Sequence, residues 1–407
     1  MAHNATAARK DADALLRQGL ARHQAGDLPG AGALYRRVLS LDPRAADALN
    51  LLGVLARQEG DLPRALDLAR RAVALRPDAP VYLAALGATL AEAGKLDEAV
   101  PALLRAVSLR PSDAVSRRNL GQALCALGRV GEALPHLREA AALTPEDAEA
   151  LLALAHGLRE AGDVPASTGA ARRALAAAGD GPVAAQARFL LAALGAEAAP
   201  DRAPAAYVRD LFDAYAPRFE ADLTGRLEYR TPAVLAALLG RAGVSADAAL
   251  DVLDLGCGTG LSGVALRPWA RRLTGLDLSP RMLAEAARHG IYDALEEADL
   301  TEYLPAHPAA FDVIAAADVL NYLGDLRPAL AGIAAALRPG GHAAFSLETG
   351  DTAPYALGEG LRYRHHPGHV LDLSTGLGLR PIAREETILR RERGADVAGT
   401  LLVLRRD

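Results

Sequence analysis

The sequence predicts two folds in series, an all-α superhelix of short repeats followed by an α/β domain on a doubly wound sheet. Three observations carry this. Prolines recur at Pro43, Pro77, Pro111 and Pro145, and glycines at Gly26, Gly60, Gly94, Gly128 and Gly162, always 34 residues apart. An apolar run at 252–255 ends in a loop with glycines at Gly256, Gly258 and Gly260. The next apolar run closes on an acid, Asp277, 21 residues past the first of those glycines. At 407 residues the chain exceeds one ordinary core. Its aromatic share of 4% leaves core building to Ala, Leu and Val.

A 34-residue period is that of the tetratricopeptide repeat, a helix–turn–helix unit. Small residues stand where its two helices cross, at Gly19, Gly53, Gly87, Gly121 and Ala155. Alanine holds the matching place in the second helix at Ala31, Ala65, Ala99 and Ala133, with Ser167 as the variant. Five repeats span about 12–180, and the fifth carries Gly179 where proline is expected. The stretch 182–194 reads as a capping helix, so the array is assigned 12–194. Residues 195–206, rich in Ala and Pro, read as a linker to a second domain at 207–407. Stacked repeats offer a concave face to an extended peptide or partner helix. The alternative is an array that buttresses the second domain or forms a homodimer.

Bulk properties narrow the partners. A net charge of −5, without a basic patch interleaved with aromatics, argues against nucleic acid. No apolar stretch reaches the length of a membrane span, and the N-terminus lacks a signal-peptide core. The expected setting is cytoplasmic. Cys125 and Cys257 make neither a disulfide framework nor a metal-ligand pattern, and no metal is expected.

The second half opens on 207–220, an amphipathic helix that concentrates Tyr207, Phe212, Tyr215 and Phe219 in a ring-poor chain. The glycine loop follows a strand. A dinucleotide fingerprint needs a third glycine where Leu261 stands, and the Lys-Ser/Thr of a phosphate loop is missing. Asp277 precedes Ser279-Pro280, a hydroxyl cap and a first-turn proline, so it ends a strand at the sheet's ligand-binding edge. An acid there binds two ribose hydroxyls. Residues 311–317 read as the fourth strand, 342–347 as the fifth, and 382–389 with 400–404 as a terminal hairpin.

This set resembles the S-adenosylmethionine (SAM) loop of class I methyltransferases. With the repeats, nearly the whole chain is similar to a bacterial family of predicted SAM-dependent methyltransferases bearing tetratricopeptide repeats. The resemblance implies a Rossmann-like seven-stranded sheet with an antiparallel C-terminal hairpin. It implies cofactor contacts from Asp254, Gly256, Cys257, Gly258, Gly260 and Asp277, with Leu278 and Met282 flanking the adenine. It assigns Asp299, beside Leu300, to the adenine amino group, and Asp318 to the loop beside the transferred methyl. The 207–220 helix resembles a lid, with Tyr215 or Phe219 over the methionine part of SAM.

Methyl transfer from a sulfonium needs a base only if the acceptor arrives protonated. Candidates are His365 and His366, with Tyr322 in the loop after the fourth strand. The alternative is that the histidines belong to a polar surface loop. Arg362 and Arg364 offer a grip for an acceptor carboxylate. Three functions follow: methylation of a protein or peptide delivered by the array, methylation of a small molecule, or a non-enzymatic adaptor.

Overall fold

The computed structural model describes residues 2–220, 229–352, 354–358, 360–392 and 395–407, with side chains from residue 11 onward. It divides into two compact units, Met1–Ala178 and Gly179–Asp407.

The first unit is a run of antiparallel helix pairs. These are α1 (Ala2–Gln24) with α2 (Leu28–Leu41), α3 (Ala46–Gln58) with α4 (Leu62–Leu75), and α5 (Pro80–Glu92) with α6 (Leu96–Leu109). Then come α7 (Ala114–Ala126) with α8 (Val130–Leu143), and α9 (Ala148–Glu160) with α10 (Val164–Ala178). The periodic glycines Gly26 to Gly162 sit just past each first helix with φ between +71° and +82°, the left-handed stop that lets the chain reverse. The crossing positions are small for want of room: a Cβ on Gly87 or Gly121 would meet Leu103 or Leu137 at 2.5 Å. Ala31, Ala65, Ala99 and Ala133 are fully buried, and the Ser167 hydroxyl donates to the Ala155 carbonyl at 2.8 Å.

The boundary lies earlier than the composition suggests. Helix α11 (Pro182–Ala193), read above as the array's cap, belongs to the second unit. Its Phe189 packs on Tyr207 and Tyr363, with ring centroids 5.4 and 6.2 Å apart. The stretch read as a linker is likewise hydrogen-bonded into this unit, with the Ala203 amide donating to the Tyr322 carbonyl at 2.9 Å.

The second unit holds a seven-stranded sheet. Its strands are β1 (Leu250–Leu255), β2 (Ala270–Asp277), β3 (Ala294–Glu297), β4 (Phe311–Ala316), β5 (Leu337–Glu348), β8 (Leu379–Glu392) and β9 (Ala395–Arg406), in the order β3-β2-β1-β4-β5-β9-β8. The first five are parallel, and β9 runs antiparallel between β5 and β8. β5 begins at Leu337, not His342, because Leu337 already pairs with Phe311. The terminal hairpin is longer than its apolar centres, and its turn at 393–394 lies outside the described residues. A small hairpin, β6 (Tyr355–Leu357) and β7 (Tyr363–His365), precedes it. Apolar residues face both layers, Val252 and Val313 to one core and Leu253 and Ile314 to the other. The order reverses between β1 and β4, which opens a crevice at their carboxyl ends. No described helix is long and apolar enough to cross a membrane.

Candidate functional site

The crevice is built first by the loop after β1. Gly256 has φ +60°, and a Cβ there would meet the Val319 side chain at 2.4 Å, so only glycine fits. Asp277, the last residue of β2, accepts from the amides of Gly258 at 2.9 Å and Ser279 at 2.8 Å. Burial outweighs these bonds and pushes its carboxyl up to about 6. Behind the loop, Asp254 is fully buried and accepts from the Ser262 and Tyr292 hydroxyls at 2.8 and 2.7 Å. Burial pushes this carboxyl up to about 7.

In front of the loop lies a cavity of about 270 Å³. Rings form much of its apolar wall: Phe219 stands between Tyr215 and Phe212, at 5.3 and 6.2 Å, and Phe212 meets Tyr322 edge-on at 5.5 Å. The sheet order places two polar groups on either side of β1. Asp277 ends β2 and Asp299 follows β3; Asp318 follows β4, and Glu392 ends β8.

The second group is a buried charge cluster. Arg390 pairs with Glu348, with Glu392 at 2.9 Å and with Asp318 at 3.6 Å. Arg362 pairs with Glu348 at 2.7 Å and also with Glu392. Burial raises the Glu392 carboxyl, but the two guanidiniums outweigh it and hold the group below its usual range. Asp318 is raised by burial and sits at φ +57°, a strained value for a residue other than glycine. It accepts from the hydroxyls of Ser346 at 2.8 Å and Thr231 at 3.4 Å. Asn321 is buried, donates to Glu348 at 3.2 Å, and leaves its Oδ1 without a partner among the described residues.

The family described as a methyltransferase domain matches residues 253–345, and the tetratricopeptide repeat family matches 2–43, 16–80 and 85–148. The chain carries a methyltransferase domain behind tetratricopeptide repeats. Over 100 residues it is 32% identical to a ubiquinone biosynthesis O-methyltransferase of Sodalis glossinidius, covering 24% of this chain and 40% of that protein. Over 103 residues it is 37% identical to a malonyl-[acyl-carrier protein] O-methyltransferase of Enterobacter lignolyticus, covering 25% and 41%. The chain thus spans less than half the length of these two relatives. Among solved structures, it is similar to YrrB, described as a TPR protein with an unusual peptide-binding site, at 23% identity, 43% of this chain, 91% of that one and a TM-score of 0.36.

Of the residues singled out in the sequence, Tyr215, Gly256, Gly258, Asp277, Leu278, Asp299, Leu300, Asp318 and Tyr322 line this cavity. Asp254 behind the loop, and Cys257 and Gly260 within it, do not line the cavity. Met282 does not line the cavity: it is fully buried on the inner face of its helix, Pro280–Arg288. The histidines also fall elsewhere. His365 shares the buried face of β7 with Tyr363, and its Nε2 meets the Gly324 carbonyl at 3.1 Å. It lines a separate cavity with His369 and Asp201. His366 caps the helix Pro367–Gly376, its Nδ1 accepting from the His369 amide at 3.3 Å. Strand alternation and helix capping thus use both imidazoles, and of Arg362, Arg364, His365 and His366 only Arg362 lines the cavity in front of the glycine loop. The sequence reading missed Arg202, Tyr229, Asn321, Arg390 and Glu392 as cavity residues. They come from the presumed linker, the approach to a helix, a short 3₁₀ turn and β8, where no local motif marks them.

Proposed function

We propose that the second unit is a SAM-dependent methyltransferase acting on a small, largely apolar acceptor that carries a hydroxyl or amine. The observation that carries this is one cavity holding a glycine-backed acid and, across β1, an ion-paired polar wall beside aromatic rings. The site fits SAM on its own geometry. Gly256 and Gly258 leave backbone open to the cavity where a side chain would intrude, and the Asp277 carboxylate, which lines it, would accept ribose hydroxyls. Leu278 and Leu300 would sandwich the adenine, with Asp299 accepting from its amino group. Tyr215 and Phe219 would cover the methionine part. The Oδ1 of Asn321, without a partner among the described residues, would accept from a ligand N–H or O–H.

Bound SAM supplies a methyl already activated on a sulfonium. The protein's part is to align it with the acceptor and keep water out. Phe212 and Tyr322 would hold the acceptor, and Glu392, kept ionised between Arg362 and Arg390, would accept a hydrogen bond from its hydroxyl or amine. Acceptor anions gain little here, because Glu348 and Glu392 already neutralise the two arginines. The relatives named for O-methylation make oxygen the first acceptor atom to test. The repeats supply a protein-binding face, and they leave open a second reading in which the acceptor is a protein or peptide brought by the array. Incubating full-length protein with a cell extract and methyl-labelled SAM, then splitting the products, separates the two. Label is expected in the small-molecule fraction; label confined to protein would overturn the small-molecule acceptor, and no label anywhere would favour an adaptor.

A further inference from the structure

The stretch between the repeats and the sheet behaves as part of a site. Arg202 makes an antiparallel bridge with Leu323. The Asp201 carbonyl accepts from the amides of Gly324 and Asp325 at 2.7 and 2.9 Å, and the Tyr363 hydroxyl donates to the Pro200 carbonyl at 2.6 Å. The segment is therefore laid along the loop after β4. This fixes the Arg202 guanidinium beside Asp299, with which it forms an ion pair. Its Nη1 also donates to the Thr301 hydroxyl at 3.2 Å, and that hydroxyl donates to Asp299 at 2.7 Å. The Thr301 amide donates to the same carboxylate oxygen at 2.9 Å. A carboxylate offers roughly four acceptor sites, so these three bonds orient the group and leave capacity for one more donor. Arg202, Ala203 and Asp299 all line the cavity.

We propose that Arg202 is a cofactor-positioning residue. It holds Asp299 in the orientation that reads the adenine amino group, and the segment around 200–203 is thereby a wall of the SAM site. This rests on the SAM reading given above. Thr301 holds one carboxylate oxygen of Asp299, and the Arg202 guanidinium fixes the other, so the two together set the plane of the group.

The test is calorimetry on the full chain, comparing wild type, Arg202→Ala and Arg202→Lys. Each is titrated with SAM and with its inosine analogue, in which the adenine amino group is an oxo group. Wild type should prefer SAM. Loss of one charge-assisted partner should weaken SAM binding by about fivefold to tenfold in Arg202→Ala and shrink the preference over the analogue. Arg202→Lys should recover part of both, and melting temperatures should stay close to wild type. Unchanged SAM affinity in Arg202→Ala would overturn the proposal. So would equal weakening of both ligands, which would make the segment a structural support only. If wild type binds neither ligand, the SAM reading itself falls; if wild type binds SAM and only the Arg202 contrast is missing, this inference falls alone.

Discussion

The Asp277 carboxylate takes the Gly258 amide hydrogen across 2.9 Å, which ties the end of β2 to the loop after β1. One side chain thus shapes the loop and faces the cavity. Asp277→Ala should weaken SAM binding about tenfold or more, the size of a lost hydrogen bond to a charged group. Calorimetry on both forms decides it, and equal affinities would remove Asp277 from the ribose site.

The raised carboxyls give two pH dependences of opposite sign. SAM would bind the ionised form of Asp277, so affinity should fall as pH drops through about 6, and Asp277→Asn should abolish that slope. For the ligand-free fold the sign reverses. Asp254 at about 7 and Asp277 at about 6 both stand above the ordinary 3.8, so these two groups hold more protons in the folded state than in the unfolded one. Their contribution to stability should decline as pH rises from about 4 to about 7. Melting curves across that range should be flatter for Asp254→Asn; a parallel slope would mean Asp254 does not carry the effect.

Gly256→Ala combines a left-handed backbone with a Cβ 2.4 Å from the Val319 side chain. It should cost about 2 kcal/mol or more and abolish SAM binding as the loop shifts. A variant that melts and binds like wild type would show that the loop has room the structure denies it.

The histidines and the cavity wall should separate in experiment. His365→Ala leaves the buried Gly324 carbonyl without its partner and should cost about 1–3 kcal/mol in denaturant titrations. Methyl transfer by the protein that remains folded should hold its rate. Tyr322→Phe and Glu392→Gln should do the reverse, slowing transfer to the identified acceptor while SAM affinity stays within about twofold, because uncoupled sites add independently. A rate loss in the histidine variant at unchanged stability would return His365 to the catalytic list.

The unit boundary sets where the chain can be cut. A fragment of 179–407 keeps α11 and the 200–203 segment and should fold and bind SAM. A fragment of 205–407 loses Arg202 and the Ala203 bridge to Tyr322, and should bind more weakly if it folds. Equal binding by the two would confine the segment to a connecting role.

The sequence by itself determined the features that act locally. A 34-residue step forces helix pairs to stack, and glycines at φ near +75° can be read as turns before any fold is known. The loop 256–260 and Asp277 are legible for the same reason: strand, turn and cap follow one another along the chain. Tertiary structure alone decided which distant groups meet. Arg390 and Glu392 reach the cavity because β9 inserts between β5 and β8 and carries the end of β8 to the ligand edge. His365 leaves it because alternation along β7 turns that face inward. Met282 is buried because its helix packs that face on the sheet, and a stretch composed like a linker becomes a wall because its carbonyls and amides found partners in the loop after β4. Spacing encodes backbone conformation; the register of packed strands, set by burial summed over the whole core, encodes which side chains share a site.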